Sequence, residues 1–463
     1  MIEKIFKAYD VRATYPSPLN EEMAWKVGHA TAQYLKRSRA NSGAAAVKLE
    51  NTIVVGRDMR PSSPDLAKAL ADGLRSVGMD VIDVGMVDTS FIYFAINHLD
   101  CVGGIMTTAS HNPIQYNGFK ISGPKAKPIG AASGLDDIKR IANTLRVGQT
   151  GLHGKYVEQD LWPQYKKHVL KFLDLKRPMT VVVDASNGMA GKMVPAVFGD
   201  LKNLTIVPLL FEITGKFTHE PNPLVESNLE MLKQKMAAIP DADLGACFDG
   251  DADRAMFLDE NRKLIGSDII TALIAEDFLK MPENKGGTIV YDLRSSHSVP
   301  DVVKALGGVP KRDRVGHAFI KKTMAETKAV FGGELSGHLY FRDNYFADSA
   351  AIAFARVLSI VSNEDTPLSQ RVAKYQRYAQ SGEMNFQVED KDAKIRELAE
   401  HYKKAEVDYL DGITIDQGDW WFNVRKSNTE PLLRLNLETT SPESLEQRLK
   451  ELKRLLGEPA HGH

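Results

Sequence analysis

The sequence predicts an α/β fold of several domains, in which three related α/β domains with mixed sheets precede a smaller α+β domain. Three observations support it: the chain has 463 residues, apolar strand-like runs alternate with helical patterns over most of it, and the C-terminal part carries a series of short strands. A chain of this length exceeds one core, since domains usually hold about 100–200 residues. Alternating strands and helices favour largely parallel sheets covered on both faces.

The first α/β domain is predicted from the pattern that follows the opening KAYDVR. A helical pattern covers residues 21–39, and a low-complexity connection follows at 40–47. Strands are predicted at 52–58, 81–84 and 102–106, and a helix at 90–99. Another helix begins at the Ser-Ser-Pro-Asp of residues 62–65, which combines an N-cap with a proline in the first turn, and it ends before Gly78.

The pattern then recurs twice. A second α/β domain has strands at 180–184, 204–211 and 244–248 and a helix near 228–238. A third has a strand at 288–292, a helix at 319–327 and a long apolar helix at 347–361. The opening strand of each of these three domains ends in an aspartate, Asp58, Asp184 or Asp292, which is a weak sign of an internal repeat.

The C-terminal part differs in pattern. Short strands at 384–388, 412–415, 420–424 and 432–437 accompany helices at 394–404 and 441–456, which suggests a small α+β domain. We expect four domains at residues 1–158, 159–262, 263–373 and 374–463.

Composition excludes several classes of protein. Hydrophobic residues make up 43% and charged residues 26%, which is ordinary for a soluble globular protein. The net charge of −1 gives no long-range attraction to nucleic acid or to a membrane. Because we find neither a signal peptide nor a run long enough to span a bilayer, we expect a cytoplasmic monomer or small homo-oligomer. Cys101 and Cys247 lie in apolar runs and read as buried core thiols, without a disulfide or metal role.

Residues 107–120, TTASHNPIQYNGFK, follow an apolar strand and then turn polar. Asn-Pro and Asn-Gly are typical of loops, because proline fixes φ while asparagine and glycine accept a positive φ. We therefore expect Ser110 to lie on a rigid loop at the end of a core strand, where open α/β sheets place their sites. A polar turn without function is the alternative for such a Ser-His pair.

A second loop carries Asp249, Asp251 and Asp253 after the strand at 244–248. In extended backbone this spacing puts all three carboxylates on one side. Two such charges about 4 Å apart repel by roughly 4 kcal/mol at an effective dielectric constant of about 20. A positive group is therefore expected among them, and oxygen ligands favour a hard divalent cation such as Mg²⁺.

Three other interpretations of this loop exist. The spacing, with Glu260 at the twelfth position, imitates an EF-hand, but Arg254 stands at the sixth position, where glycine is needed. A strand that ends in Asp-x-Asp also resembles phosphatases of the haloacid-dehalogenase type, with Asp249 as nucleophile. A solvated acidic turn is the third. We favour the metal site.

Two further polar loops could bind a ligand. Residues 332–338 bring together Glu334, Ser336 and His338, and a glutamate can accept hydrogen bonds from vicinal sugar hydroxyls. Residues 425–431 join two strands of the final domain and combine a guanidinium, hydroxyls and loop N–H groups suited to phosphate. An ordinary turn is the alternative for each.

In this order, TTASHNP, DGDADR, GELSGH and RKSNTEP resemble the α-D-phosphohexomutase superfamily over the length of the chain. The opening Tyr9-Asp-Val-Arg12 and the GELSGH loop resemble its bacterial phosphomannomutase/phosphoglucomutase branch. The phosphoglucosamine mutase branch typically opens differently and carries GEQSGH. Arg294 stands where a lysine is expected, and it offers a planar fork in place of a point charge.

The resemblance implies three α/β domains and a fourth domain shaped like the TATA-binding protein, arranged around a central cleft. It implies reversible conversion of hexose 1-phosphate, of mannose or glucose, into hexose 6-phosphate through a phosphorylated Ser110 and a bound hexose 1,6-bisphosphate. Small sugar phosphates would be the partners. A phosphoglucosamine mutase, an aspartyl-phosphate sugar phosphatase and a non-catalytic sugar-phosphate-binding protein are the alternatives.

The resemblance also assigns the site residues. Mg²⁺ would be held by phosphorylated Ser110, Asp249, Asp251 and Asp253. The catalytic residues would be Ser110, His111, Lys120, Arg254 and His338, with Lys120 and His338 as candidates for proton transfer. The substrate would contact Tyr9, Arg12, Arg294, His317, Glu334, Ser336, His338, Arg425, Ser427, Asn428 and Thr429.

Overall fold

A computed structural model describes residues 2–42, 47–146, 151, 153–427 and 432–460. The chain divides into two compact units. The first unit comprises the residues up to Ile265 together with Ser336–Leu368, and the second comprises Gly266–Leu335 and the residues from Ser369 onward.

The first sheet of the first unit is mixed and has the strand order β1-β5-β4-β2-β3-β6. Its strands are β1 (Val11–Thr14), β2 (Leu49–Arg57), β3 (Asp80–Met86), β4 (Cys101–Thr107), β5 (Tyr116–Ser122) and β6 (Tyr156–Glu158), and the accompanying helices are α1 (Glu21–Ser42), α2 (Ser63–Arg75), α3 (Thr89–Leu99), α4 (Leu135–Thr144) and α5 (Trp162–Val169). Strands β4, β2, β3 and β6 run parallel, and β5 and β1 run antiparallel to their neighbours.

Helix α1 continues to Ser42, so the connection predicted at 40–47 starts too early. No residue between Arg39 and Ser42 breaks a helix, and Ala40 is of the type with the highest helix propensity.

The second sheet of the first unit has the order β11-β10-β9-β7-β8. Its strands are β7 (Met179–Asp184), β8 (Leu204–Leu209), β9 (Leu244–Phe248), β10 (Ala255–Leu258) and β11 (Leu264–Ile265), with helices α6 (Ala190–Phe198) and α7 (Glu230–Ala237). Strands β8, β7 and β9 are parallel, whereas β9, β10 and β11 are antiparallel.

The second unit begins with helix α8 (Ser267–Lys280) and contains the parallel strands β12 (Thr288–Asp292), β13 (Val309–Asp313) and β14 (Phe331–Gly333), with helices α9 (Ser298–Ala305) and α10 (His317–Thr327). The chain then re-enters the first unit with the antiparallel strands β15 (Leu339–Phe341) and β16 (Ala347–Asp348), followed by helix α11 (Ala350–Ser362). The helix predicted at 347–361 therefore starts too early. The side chain of Ser349 accepts the N–H of Ile352 and caps α11, a role that serine fills well.

The three α/β domains predicted from the sequence share one arrangement of strands. In each, the opening strand lies between two parallel neighbours, as β2 does between β3 and β4, β7 between β8 and β9, and β12 between β13 and β14. Each opening strand leads into a fully buried aspartate, Asp58, Asp184 or Asp292, and its Oδ1 accepts the N–H two residues further on. The repeat predicted from the sequence is thus visible in the backbone.

The C-terminal part of the second unit is an α+β arrangement with an antiparallel sheet, in the order β17-β21-β20-β19-β18. Its strands are β17 (Ala379–Gln387), β18 (Glu406–Asp408), β19 (Ile413–Asp416), β20 (Trp420–Lys426) and β21 (Leu432–Thr439), with helices α12 (Leu368–Ala373), α13 (Lys391–His401) and α14 (Pro442–Leu456). The fold class predicted from the sequence is therefore confirmed.

Both cysteines are buried in strands, as predicted. In the described part of the chain, every helix is too short or too polar to cross a membrane.

Candidate active site

Ser110 follows strand β4 in the first unit and is almost fully buried, with 2% of its surface exposed. Its backbone adopts a positive φ of 50°, which few residues other than glycine accept. Its hydroxyl donates a hydrogen bond to Oδ2 of Asp249 at 2.9 Å, and its N–H donates to Oγ1 of Thr108 at 2.9 Å. The loop therefore fixes the Ser110 hydroxyl against the acidic loop.

The acidic loop is a turn, so the prediction that extended backbone brings its three carboxylates to one side is wrong. The turn closes when the N–H of Ala252, at φ 53°, donates to the carbonyl of Asp249. The Oδ1 of Asp249 then accepts the N–H groups of Asp253 and Arg254 at 3.1 and 3.2 Å. The three carboxylates nevertheless converge, and their oxygens lie within 4.8 Å of one another. All three are buried, which contradicts the alternative of a solvated turn.

Two cations lie among these three carboxylates. Lys120 Nζ donates to Asp251 Oδ2 at 2.7 Å and also to Asp253, and Arg254 Nε lies 3.3 Å from Asp249 Oδ2. Burial alone would lower the pKa of Lys120, but the carboxylates of Asp251 and Asp253 outweigh burial and raise that pKa. Burial and the neighbouring carboxylates raise the pKa of Asp249 to about 8, so these two cations do not fully compensate the three acids.

This acidic cluster fits a metal ion. The Oδ1 of Asp251 is buried and has no hydrogen-bond partner among the described residues, so a buried lone pair is left for a ligand. A set of three carboxylates is the donor set of a hard divalent cation.

His111 and Arg254 lie beside the Ser110 hydroxyl. Arg254 Nη2 is 3.2 Å from Ser110 Oγ and also contacts Nδ1 of His111. Burial and the charge of Arg254 hold the pKa of His111 well below its usual range. A neutral imidazole accepts the guanidinium hydrogen bond, so the charge of Arg254 stays next to Ser110 Oγ.

Ser336 and His338 belong to the first unit and reach the same cluster. Ser336 Oγ lies 2.9 Å from Nδ1 of His338, and Nε2 of His338 lies 3.5 Å from Oδ1 of Asp253. Asp348, on β16, groups with Asp253 and His338, with ligand atoms within 4.8 Å of one another. His338 and Lys120 therefore contact the same carboxylate, that of Asp253.

Arg12 joins this loop from strand β1. Its Nη1 donates to Oδ1 of Asn112 at 2.6 Å, and its Nε donates to Oδ2 of Asp10 at 3.1 Å. Tyr9 is half-buried next to Gly130.

Glu334, His317 and Arg294 belong to the second unit. Glu334 is buried, and its Oε1 accepts the N–H of Gly316 at 2.8 Å. His317 follows Gly316 as the first residue of α10. Arg294 donates to Asp292 through Nε and Nη2, and its Nη1 lies 3.4 Å from Glu383 Oε2.

Arg425, at the end of β20, is buried and donates through Nη2 to Glu383 at 2.8 Å. Arg434 donates to the same carboxylate at 2.8 Å. Burial would raise the pKa of Glu383, but Arg294, Arg425 and Arg434 outweigh it and lower that pKa to about 2. The N–H of Ser427 donates to the carbonyl of Leu432 at 2.9 Å. Asn428 and Thr429 lie outside the described residues.

Sequence reasoning missed several residues of these clusters: Arg60, Thr89, Asp348, Glu383 and Arg434. Thr89 Oγ1 donates to Oδ2 of Asp251, and no local motif announces that contact. Arg60 had a signal, because it follows its strand-final aspartate by two residues, as Arg294 does.

Comparison with known proteins gives four adjoining family matches. The description "Phosphoglucomutase/phosphomannomutase, alpha/beta/alpha domain I" matches residues 3–147, domain II of the same family matches 163–263, domain III matches 266–378, and the C-terminal domain matches 383–455.

Full-length relatives agree with these matches. A protein of Xanthomonas campestris pv. campestris named "Phosphohexose mutases" is 38% identical over 97% of this chain and 98% of its own length. The phosphomannomutase of Escherichia coli K12 is 37% identical over 98% and 99%. A crystal structure of a phosphoglucomutase/phosphomannomutase family protein from Burkholderia thailandensis superimposes with a TM-score of 0.87 at 33% identity, covering 98% of this chain and 97% of that one.

Proposed function

Because this chain belongs to the phosphoglucomutase/phosphomannomutase family, we propose that it interconverts hexose 1-phosphate and hexose 6-phosphate, with mannose or glucose as the sugar. Members of this family are isomerases, and relatives along the whole chain are named phosphomannomutase or phosphohexose mutases. The sugar assignment rests on those names and on the GELSGH loop.

One observation carries the proposal. The Ser110 hydroxyl is buried, bonded to Asp249 at 2.9 Å, and lies 3.2 Å from the guanidinium of Arg254. A lone structural serine has no need of a strained backbone, a carboxylate and a guanidinium together. This environment supports Ser110 as the phosphoryl carrier, because a guanidinium stabilises charge on a transferring phosphoryl group.

The reaction would run in two transfers. The phosphorus–oxygen bond to Ser110 breaks while a new one forms to the free hydroxyl oxygen of hexose 1-phosphate, whose proton leaves to a base. The resulting hexose 1,6-bisphosphate presents its other phosphate to Ser110, and the reverse transfer leaves hexose 6-phosphate. Added 1,6-bisphosphate would reload an enzyme that has lost its phosphate.

Asp249, Asp251, Asp253 and the phosphorylated Ser110 would hold Mg²⁺, which supplies a positive charge that stabilises the transferring phosphoryl group. The raised pKa of Asp249, which reflects incomplete compensation of the three acids, and the buried Oδ1 of Asp251 support this assignment. Arg254 contributes a second positive charge from the protein itself.

Lys120 and His338 are the proposed proton-transfer groups. Lys120 Nζ is held in its protonated form by two carboxylates, so it would stabilise charge in this arrangement, and proton transfer through it would require that contact to loosen. His338 is oriented through Nδ1 by Ser336 while Nε2 faces Asp253. A histidine oriented in this way suits acid–base exchange with a sugar hydroxyl.

Residues of the second unit would bind the parts of the substrate that do not react. Arg425, Ser427, Asn428 and Thr429 are assigned to the second phosphate. Glu334, with Ser336 of the first unit, is assigned to the sugar hydroxyls. Arg294, His317, Arg12 and Tyr9 complete the proposed set.

Coupled assays with mannose 1-phosphate, glucose 1-phosphate and glucosamine 1-phosphate, each with Mg²⁺ and the matching 1,6-bisphosphate, test this function. We expect turnover of mannose 1-phosphate, glucose 1-phosphate or both. Ser110→Ala should lower kcat by about 10⁴-fold or more, whereas Ser122→Ala, a buried serine on β5, serves as the control. Turnover of glucosamine 1-phosphate alone would favour the phosphoglucosamine mutase. Binding of sugar phosphates without turnover would refute the mutase.

The phosphatase alternative predicts a different covalent species. Hydroxylamine destroys an acyl phosphate on Asp249 and leaves phosphoserine intact. We expect intact-mass analysis of protein loaded with glucose 1,6-bisphosphate to show one phosphate that survives hydroxylamine and is missing in Ser110→Ala. A hydroxylamine-sensitive phosphate that persists in Ser110→Ala would assign the chemistry to Asp249.

A further inference from the structure

Arg60 lies in the turn between β2 and α2, outside every motif discussed above, and only 1% of its surface is exposed. Its Nε donates to Oδ2 of Asp58 at 3.1 Å. Its remaining donors go to backbone carbonyls between β4 and the start of β5: those of Ser110 at 2.8 Å, Asn112 at 2.6 Å, Pro113 at 2.6 Å and Tyr116 at 3.0 Å. A guanidinium has five N–H donors, and all five of Arg60 are used here.

We propose that Arg60, held by Asp58, is the positioning residue that fixes the Ser110 loop in its phosphoryl-transfer conformation. The proposal rests on the proposed function of Ser110. It concerns a residue that touches the loop backbone only and acts on the reaction through Ser110.

The loop needs such a support. Residues 108–115 belong to no helix or strand, and Ser110 itself has a positive φ. A side chain other than glycine keeps that conformation only when its surroundings determine it. Arg60 binds three carbonyls of this loop and that of Tyr116, the first residue of β5, and so closes the loop around a single cation.

Burial of the Arg60 guanidinium costs free energy unless all its hydrogen bonds are made, and an apolar side chain of similar size would stabilise the fold as well. The arginine is therefore better explained by the loop carbonyls that it binds than by stability. Asp58 supplies the counter-charge and is itself fixed, because Oδ1 accepts from the Ser63 hydroxyl and from the N–H of Arg60. Asn117 ties the end of the loop to Ser63 at 2.9 Å.

The same contact orients an N–H group for an anion. In a trans peptide the C=O and the following N–H point in opposite directions. The carbonyl of Ser110 faces Arg60, so the N–H of His111 faces the other side of the loop, and it makes no hydrogen bond within the described residues. An N–H next to a residue with positive φ is a typical donor to phosphate.

The test compares Arg60→Lys with Arg75→Lys in the full-length protein. Lysine keeps the charge of Arg60 but cannot reach four carbonyls. Arg75 is a matched control, since it also bonds an aspartate and a backbone carbonyl of the first unit, Asp72 and Gly154, away from this loop. The readouts are kcat and KM for hexose 1-phosphate, the rate of Ser110 phosphorylation by glucose 1,6-bisphosphate, and hydrogen exchange of amides 109–118.

For Arg60→Lys we expect kcat and the phosphorylation rate to fall about 10- to 100-fold, because a small misplacement of a reacting group costs that much. KM should stay within about twofold, and the loop amides should exchange at least about tenfold faster, since these hydrogen bonds hold the loop closed. Values that match Arg75→Lys would overturn the proposal.

Two further results keep the test decisive. If Arg60→Lys fails to fold, Asp58→Asn replaces it, and unchanged kcat and loop exchange in that variant would overturn the proposal. If the wild-type protein takes no phosphate on Ser110, the proposed function fails. Loop exchange still reports whether Arg60 holds the loop in that case.

Discussion

Two charged clusters of this molecule are built around opposite charges: one gathers three carboxylates and the other gathers three guanidinium groups. In the first unit, three carboxylates, those of Asp249, Asp251 and Asp253, meet at one place, where Lys120, Arg254 and the imidazole of His338 contact them. In the second unit, one carboxylate, that of Glu383, receives three arginines, Arg294, Arg425 and Arg434. Asp292 adds a second carboxylate through Arg294, and the charge of Glu334 also acts on Arg294.

The difference teaches what stabilises each cluster. Like charges that are buried together repel one another, and a group of opposite charge relieves that repulsion. A cation would therefore stabilise the acidic cluster, whereas the carboxylate of Glu383 stabilises the arginine cluster. The same substitution, carboxylate to amide, should have opposite effects on stability in the two clusters.

The largest effect is expected for Asp249→Asn. Loss of one proposed metal ligand and of the acceptor for the Ser110 hydroxyl should reduce kcat by about 10²- to 10³-fold and weaken the proposed binding of Mg²⁺. In the metal-free protein, removal of one of three buried like charges should raise the free energy of unfolding, on the order of 1 kcal/mol.

Urea unfolding with EDTA and with Mg²⁺ measures the change in stability and in metal binding, and steady-state kinetics measures kcat. Asp243→Asn is the control. Asp243 also lies in the first unit but pairs with Arg177. A metal-free Asp249→Asn protein that is less stable than wild type would break the comparison.

Gly250→Ala probes the contact between the acidic loop and the Ser110 loop. A Cβ added at Gly250 would lie 2.4 Å from the carbonyl oxygen of Ser110, so one loop must shift. We expect kcat to fall about 100-fold and stability to drop by about 1–3 kcal/mol.

Gly123→Ala is the matched control, because its Cβ would meet no atom closer than 3.7 Å. Steady-state kinetics and thermal unfolding of the two variants give the answer. Equal kcat in both would show that the two loops tolerate displacement.

Glu383→Gln is the counterpart of Asp249→Asn in the arginine cluster. The fall of the Glu383 pKa from its ordinary 4.5 to about 2 corresponds to about 3 kcal/mol of stability at pH 7. The variant should therefore lose about 2–3 kcal/mol, and KM for hexose 1-phosphate should rise about tenfold because Arg425 loses the carboxylate that orients it.

The sign with pH follows from the lowered pKa. The contribution of Glu383 is complete above pH 4.5 and disappears as the pH falls through 2. The stability difference between wild type and Glu383→Gln, from urea unfolding at pH 7 and pH 4, should therefore shrink at the lower pH. A difference independent of pH would remove the carboxylate's charge as its cause.

The smallest effect is expected for Asp88→Asn. Asp88 caps α3 in the first unit, and its Oδ1 accepts from Tyr165 and from the N–H of Phe91. Burial raises the pKa of Asp88 from 3.8 to about 7, so its contribution to stability is present below pH 3.8 and is lost as the pH rises through 7.

Asparagine stays neutral and caps equally well. The variant should be about 1–2 kcal/mol more stable than wild type at pH 8. Part of the gain is offset because the added N–H takes the place of Oδ2, which has no partner among the described residues. The advantage should vanish near pH 4 in urea unfolding, with kcat unchanged within about twofold.

Much of the fold follows from local patterns. The apolar strands that lead into Asp58, Asp184 and Asp292 were predictable because buried parallel strands are short, apolar and end in polar loops. Helix boundaries were less so. The helix predicted at 347–361 begins only at Ala350, because an apolar run does not distinguish a short buried strand from a helix.

The site was predictable where chemistry is concentrated in short loops. Ser110 and the three aspartates could be identified from the sequence, because each of their loops combines reactive groups with turn residues. Arg60 and Glu383 do not, because their partners lie far along the chain and, for Arg60, are backbone carbonyls that leave no trace in the sequence. Long-range contacts of this kind need a fold before they can be seen.

The hydrogen bond between Ser110 and Asp249 joins residues 139 positions apart on loops that follow strands of two different sheets, β4 and β9. Neither sheet with its own helices holds both groups. A nick in the chain between these two sheets would therefore abolish turnover unless the pieces reassociate, and recovery of activity on mixing separately expressed pieces would measure their affinity. The proposed phosphoryl transfer therefore requires both sheets in one assembled protein.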